Sequence, residues 1–170
     1  LIHHAQINRL NLLKSIFGKI TIVPSVKHEV VDEGMQLGHA DAGSVKEAIE
    51  TGYIVLFTPN SRLVKQASRL AKQERLSESD TQTLLVAKIA AQPLLTDEKP
   101  LSVLGRIHAL ELWNTWSIML EALRRGLLGK EDIEAAIKDL GERKHKLSSK
   151  DAEVVGEAAD RIVSSLSSRH

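Results

Sequence analysis

The chain has 170 residues, about the length of one ordinary domain, and 42% hydrophobic and 26% charged residues are typical of a globular protein. It lacks cysteine, which excludes disulfides, cysteine-ligated zinc and thiol catalysis. The 23 basic and 22 acidic residues give a net charge of +1, which excludes a strongly polybasic nucleic-acid binder, and only 3% of the residues are aromatic, which argues against base-stacking platforms.

Targeting signals are not visible in this sequence. No apolar run approaches the roughly 18 residues that a membrane span needs, and no charged-then-apolar leader precedes a small-residue cleavage site. We therefore expect no membrane association and a cytoplasmic location. The sequence begins at Leu1 and not at an initiator methionine, and we expect that a few upstream residues are absent from it.

Short β-branched runs alternate with longer helical periods, which predicts βαβ units and a parallel sheet. In the first third we predict a helix over 5–17, a strand over 19–23, a helix from Pro24 to about Glu33, a glycine-rich loop over 34–43, a helix over 44–51 and a strand over 53–57. Further along we predict helices over 61–75 and 78–91, a strand over 93–96, a helix over 99–107, a strand over 110–113, and helices over 115–125, 130–142 and 149–166.

The C-terminal part differs in character from the rest. Residues 127–170 carry no strand signal, so we predict an α/β domain over 1–128 followed by a helical extension over 129–170. In that extension Leu147, Val154, Ala158 and Ile162 suit one helix face, which could serve dimerisation or partner docking.

Two acids follow a predicted buried strand. In open parallel sheets, sites lie at the carboxyl ends of strands, and Asp97 and Glu98 come directly after Leu94, Leu95 and Thr96. Carboxylates are hard oxygen donors that suit Mg²⁺, which keeps several waters and needs few protein ligands. The alternative is that Asp97 caps the next helix, and the two roles are compatible.

Two further acids lie on predicted helices. Ser77 and Asp80 resemble a capping box at the start of the helix over 78–91. This helix is nearly all apolar from Leu84 to Ala91, so we predict that it is core and that Asp80 lies at the mouth of a buried region. Glu29 lies on the helix after Pro24, where a solvated surface position is the alternative to a site.

A basic stripe marks the helix over 61–75. Its cations recur at 3-4-3 spacing along one face, and they are Arg62, Lys65, Arg69 and Lys72. Leu63, Ala67 and Leu70 lie opposite. Such a stripe could track a phosphate backbone, and the alternative is the solvated face of an amphipathic helix.

Set together, these segments resemble a PIN domain. The resemblance covers about residues 1–128 and rests on ordered segments: LIHHA, RLNLL, FG, VPSV and Glu29, then LSESD with Leu84 and Ala87, then LLTDEKPL. The stretch from Trp113 to Leu127 is similar to the tail of a prokaryotic branch near the VapC-type toxins.

The resemblance implies a fold and an activity. The fold would be a three-layer sandwich with a central parallel sheet flanked by helices, followed here by the helical extension. The activity would be hydrolysis of RNA phosphodiester bonds by in-line displacement, with Mg²⁺ or Mn²⁺ held by a carboxylate cluster. The partners would be RNA, an antitoxin-like protein and a second copy in a homodimer.

The resemblance also assigns site residues. Glu29 would be the second acid of the cluster and Asp80 the third, while both Asp97 and Glu98 are candidates for the fourth. The first acid of the family lies a few residues before the position of Leu1. We expect it upstream, and the alternative is a catalytically inactive PIN-like module that binds RNA or a protein.

Overall fold

The computed structural model describes residues 1–143 and 145–168. The chain divides into two compact units. Unit 1 comprises Leu1 and Lys19–Asn114, and unit 2 comprises Ile2–Gly18 together with the chain from Thr115 onward. Within the described residues, no helix is both long enough and apolar enough to span a membrane.

Short strands alternate with helices along the first two thirds of the chain, and helices alone follow. The elements in chain order are α1 (Ile2–Gln6), α2 (Asn11–Phe17), β1 (Ile20–Ile22), α3 (Pro24–Lys27), a π-helical segment (His28–Glu33), α4 (Gly34–Gln36), α5 (Ala40–Glu50), β2 (Ile54–Leu56), α6 (Ser61–Glu74), α7 (Glu78–Ala90), β3 (Leu94–Leu95), α8 (Lys99–Ile107), β4 (Leu112–Trp113), α9 (Thr115–Arg124), α10 (Lys130–Glu142) and α11 (Ser149–Ser167).

The strands of unit 1 pair in parallel, as predicted. β1 pairs with β2, with Ile20 opposite Ile54, and β3 pairs with β4, with Leu94 opposite Leu112. In the part of the chain that the structure describes, these pairs form two separate two-stranded sheets. The mixed α/β character is therefore confirmed, while the three-layer sandwich around one central sheet stays a prediction.

The largest differences between the predicted elements and the structure lie in two segments. The helix predicted over 5–17 is interrupted between α1 and α2, where Asn8 has a φ of 55°, a left-handed conformation that asparagine tolerates. The loop predicted over 34–43 is mostly helical, because α4 and α5 occupy it. Gly34 lies inside α4 and permits close packing, since a Cβ there would lie 3.0 Å from the Cβ of Ala42.

The core of unit 1 forms around α7. Leu84 of this helix is fully buried, and it shares an apolar cluster with Leu94 of β3 and Leu101 of α8. Gly105 of α8 lets that helix approach the sheet, because a Cβ at this position would lie 2.7 Å from a methyl carbon of Leu112. These contacts fix α7 and β3 against each other.

The core of unit 2 joins α2, α9, α10 and α11 around buried residues that include Met119 and Ile133. The apolar face predicted for α11 is shifted by one position, because Val155 and Ala159 are the buried residues and Val154 is 53% exposed. This face packs inside unit 2, as do Leu147 and Ile162. The predicted boundary at residue 128 stays a prediction.

Unit 2 contains an acid that should make its stability depend on pH. Hydrogen bonds of 2.7 Å from Arg124 and Arg125 lower the pKa of Glu121 from 4.5 to about 2. Because the folded state has the lower pKa, its contribution to stability is present above about pH 4.5 and is lost as the pH falls through about 2.

We expect this contribution to be about 1 kcal/mol, since both arginines are substantially exposed to solvent. Urea unfolding of the wild type and Glu121→Gln at neutral and acidic pH measures it. The stability gap between the two proteins should close at low pH. Glu157→Gln, which removes a pair with Arg161 at the surface of α11, should show no such closing gap. A gap that is independent of pH would contradict the assignment.

Candidate functional site

Glu29 lies in the π-helical segment and is exposed to solvent, while Val30 and Val31 anchor the segment in the core. The other two acids of the segment are engaged: Asp32 pairs with Lys27 and with His28, and Glu33 also pairs with His28. The Glu29 carboxylate has no hydrogen bond or ion pair within residues 1–143 and 145–168. A single π turn redirects the side chains of a helix and is frequent at functional sites.

The Lys27–Asp32 contact affects the ionisation of this segment. The Lys27 ammonium donates to both oxygens of Asp32, at 2.6 and 2.9 Å, and lowers the pKa of that carboxyl. Asp32 is therefore held by protein cations, which leaves Glu29 as the acid of this segment that is available to a ligand.

Asp80 lies in the first turn of α7 and is half-buried. Its backbone N–H donates to the Ser77 hydroxyl at 2.9 Å, so the predicted cap by Ser77 is confirmed. The Asp80 carboxylate has no partner among the residues that the structure describes. The next residue, Thr81, is fully buried and its hydroxyl lies 3.1 Å from the carbonyl oxygen of Ala67, which fixes this turn against α6.

Asp97 and Glu98 directly follow β3 and are both exposed. The residue that caps α8 is Glu98 and not Asp97, and its side chain makes no capping hydrogen bond. The prediction that Asp97 caps this helix is therefore wrong. Thr96 shapes the turn instead, because its hydroxyl accepts the Glu98 backbone N–H at 3.0 Å.

The start of the chain lies close to this turn. The α-amino group of Leu1 is buried, which lowers its pKa, and the charge of Asp97 acts in the opposite direction.

Two elements next to the candidate acids contact α7, namely α3, which precedes the π-helical segment of Glu29, and β3, which precedes Asp97 and Glu98. The Ser25 hydroxyl of α3 donates to Gln82 of α7 at 3.4 Å, one helical turn before Glu29 and two residues after Asp80. β3 packs on α7, and Asp97 and Glu98 follow it in the chain. Asp80 thus lies on α7 itself, while Glu29 and the Asp97–Glu98 pair follow elements that contact α7.

The donor chemistry of these acids fits a hard divalent cation. All the candidates are carboxylates, and Mg²⁺ is commonly held by one or two carboxylates with several waters. Within the described ranges, however, no group of three or more His, Asp or Glu side chains is close enough together to hold a metal ion. The described residues therefore do not by themselves assemble a metal site with three or more protein ligands.

The basic stripe predicted for α6 faces solvent. Leu63 and Ala67 are buried opposite it, as predicted. None of the four cations makes an ion pair in the described part of the chain. Ser61, Arg62, Lys65, Gln66 and Arg69 line a shallow concavity of about 440 Å³.

A second concavity was not predicted from the sequence. It has a volume of about 530 Å³ and lies between α6 and α7 beside the end of α8. We call it the α6–α7 groove, and it is lined by Gln66, Arg69, Leu70, Gln73, Leu85, Lys88, Ile89 and His108. The prediction that α7 is core throughout misses it, because Ile89 is 68% exposed.

Comparison with known proteins identifies the family. A family model described as a PIN domain (DUF3368) matches residues 1–160. Comparisons with curated proteins and with solved structures gave no match. PIN domains are in general nucleases that use divalent metal ions. Because the match spans nearly the whole chain, the protein belongs to the PIN-domain family.

Proposed function

We propose that this protein is a metal-dependent ribonuclease whose site is formed by Glu29, Asp80, Asp97 and Glu98. The observation that carries the proposal is that Glu29, Asp80 and Glu98 carry carboxylates without protein partners in the described residues. Asp80 lies on α7, and the other two follow α3 and β3, which both contact α7. Carboxylates left unneutralised by lysine or arginine are suited to bind a cation.

The proposed roles follow from position. Asp80 and Glu29 would hold Mg²⁺ or Mn²⁺ from the side of α7, and Asp97 or Glu98 from the end of β3. When bound, the cation supplies charge neutralisation at the phosphoryl oxygens and lowers the pKa of an attacking water. The chain itself would orient the phosphodiester in line by holding the RNA along α6.

Cleavage of a mixed RNA substrate tests this proposal. The protein is expressed from its complete reading frame and incubated with Mn²⁺, with Mg²⁺ or with EDTA. We expect cleavage with metal and none with EDTA. Folded protein that binds the RNA and does not cleave it under any metal condition would overturn the proposal in favour of an inactive RNA-binding module.

The basic stripe is the proposed RNA contact. Arg62, Lys65, Arg69 and Lys72 span about 15 Å of helix, the length of roughly four stacked nucleotides. Four phosphate contacts to a single strand predict a slope of about −2.8 for the logarithm of affinity against the logarithm of salt concentration.

Removing one cation tests this contact. Lys65→Gln should weaken RNA binding similarly for every sequence and reduce the salt slope by about 0.7. Fluorescence anisotropy across a salt series measures both quantities. Lys138→Gln, on the exposed side of α10, is the matched control and should leave the slope unchanged. Equal effects of the two substitutions would contradict a role for the stripe.

We further propose the finer assignments that the resemblance implies. These are membership of the VapC-type branch, the three-layer sandwich, an antitoxin-like partner, a homodimer and a cytoplasmic location. The similarity of Trp113 to Leu127 to the tail of that branch supports them. Light scattering of the purified protein tests the homodimer, and a monomeric mass at all concentrations would exclude it.

A further inference from the structure

The α6–α7 groove combines an apolar floor with a cationic rim. Leu70, Leu85 and Ile89 contribute aliphatic side chains. Ile89 is mostly exposed, although isoleucine is among the residues most often buried in folded proteins. Ile107, adjacent in sequence to a groove residue, is 72% exposed. Leu70 and Leu85 also pack against the core cluster of unit 1, so the exposed part of the apolar surface is contributed mainly by Ile89.

The rim of the groove presents hydrogen-bond donors. Arg69 and Lys88 are cations, and the Lys88 ammonium lies 3.1 Å from Nδ1 of His108. Because an ammonium can only donate, Nδ1 accepts, and the neutral imidazole then carries its proton on Nε2 as a further donor. No Asp or Glu is among the residues that line the groove. The complementary ligand therefore carries carboxylates together with aliphatic side chains.

We propose that the α6–α7 groove is the docking site for an acidic, leucine-rich amphipathic segment of another protein. An amphipathic helix lays its apolar face into such a groove and pairs its flanking charges with the rim. A second copy of this chain is disfavoured, because a twofold contact would place Arg69 and Lys88 against the same cations of its mate. RNA is a poorer match, because Leu70, Leu85 and Ile89 offer no hydrogen-bond donor to a phosphate backbone.

Binding of designed peptides tests the proposal without any measurement of cleavage. The probe is a fluorescent helical peptide of about four turns, with leucine along one face and glutamate elsewhere. The first control peptide carries lysine in place of glutamate, and the second probe is a single-stranded oligouridylate RNA. Anisotropy gives the affinities, and methyl NMR locates the contact at Ile89. All measurements use the full chain without metal.

We expect the acidic peptide to bind and to shift the Ile89 methyl signals. Ile89→Asp should weaken this binding at least about tenfold, since it removes a central apolar anchor. Val154→Asp, an equally drastic change at an exposed valine of α11, should leave it unchanged. Both positions face solvent, so neither variant should lose its fold.

Other outcomes would overturn the proposal. If the lysine peptide binds as tightly as the acidic peptide, or if no peptide binds, the charge complementarity on which the proposal rests is contradicted. Ile89 shifts caused by the RNA would assign the groove to nucleic acid. Concentration-dependent dimerisation that Ile89→Asp abolishes would assign it to a second copy.

Discussion

Asp80→Asn is expected to reduce RNA cleavage at least about 100-fold while leaving the fold intact. The amide has the size of the carboxylate but no charge, so it is a poor ligand for a hard cation, and substitutions even in the second shell of metal sites cost about 10–100-fold. The fold should survive, because the Ser77 cap is made to the backbone N–H of residue 80 and not to its carboxylate.

Single-turnover cleavage with Mn²⁺ measures this loss, and calorimetric titration with Mn²⁺ gives a readout that is independent of RNA. Both the rate and the Mn²⁺ affinity should fall. Glu78→Gln is the matched control, since Glu78 lies in the same first turn of α7 and its carboxylate accepts from Ser68 at 2.9 Å. If the two variants lose equal activity, Asp80 acts only through the general charge of the helix N-terminus.

Leu84→Ala should destabilise unit 1 by about 2–5 kcal/mol. Leu84 is fully buried, at 0% exposure, and contacts the cluster that joins α7 to β3 and α8. Truncation removes apolar burial and leaves a cavity that the surrounding helices fill only in part. Since Asp80 lies one turn before Leu84 and Asp97 follows β3, the loosened core should also disorder the proposed site.

Urea unfolding measures this change, and Ile89→Ala is its control on the same helix. Ile89 is 68% exposed, so its truncation should cost less than about 0.5 kcal/mol. Because the protein has two units, unfolding is followed with separate probes, and the shift should be confined to the transition that reports unit 1. Equal destabilisation by the two variants would contradict the burial of Leu84 and the exposure of Ile89 in α7.

Much of the fold can be predicted where local sequence and tertiary packing agree. The helix over 99–107 has its predicted bounds, and α6 and α7 differ from prediction by one residue at their ends. In α6 the Asn60 cap specifies where the helix starts. The placement of the cations opposite Leu63 and Ala67 specifies which face of the helix is buried. Each local signal there supports the same structure.

The failures have physical causes that the sequence does not display. Glycine suits the helical position 34 because the backbone there packs closely on Ala42, and such a contact is visible only in three dimensions. The π turn at His28–Glu33 has no sequence signature known to us, yet it sets the direction of Glu29. By its spacing Asp97 is a plausible cap of α8, but in the structure the Thr96 hydroxyl accepts the Glu98 backbone N–H at this turn.

The site could be predicted only in outline. The four acids follow from order and resemblance, while the packing of α3 on α7, which includes the Ser25–Gln82 hydrogen bond, joins segments that are far apart in the sequence. The α6–α7 groove escapes sequence analysis, because Ile89 continues the apolar run from Leu84 and nothing local indicates that it faces solvent.

The division of the chain has a consequence for its synthesis. Unit 2 needs Ile2–Gly18 and the chain from Thr115 onward, so all of Lys19–Asn114 is translated between its two parts. Unit 1 is nearly complete in sequence once Asn114 leaves the ribosome, and domains generally fold as they emerge. Until α9, α10 and α11 have been synthesised, the apolar faces of the N-terminal helices stay exposed. The nascent chain is therefore most vulnerable to chaperone capture and proteolysis during this period.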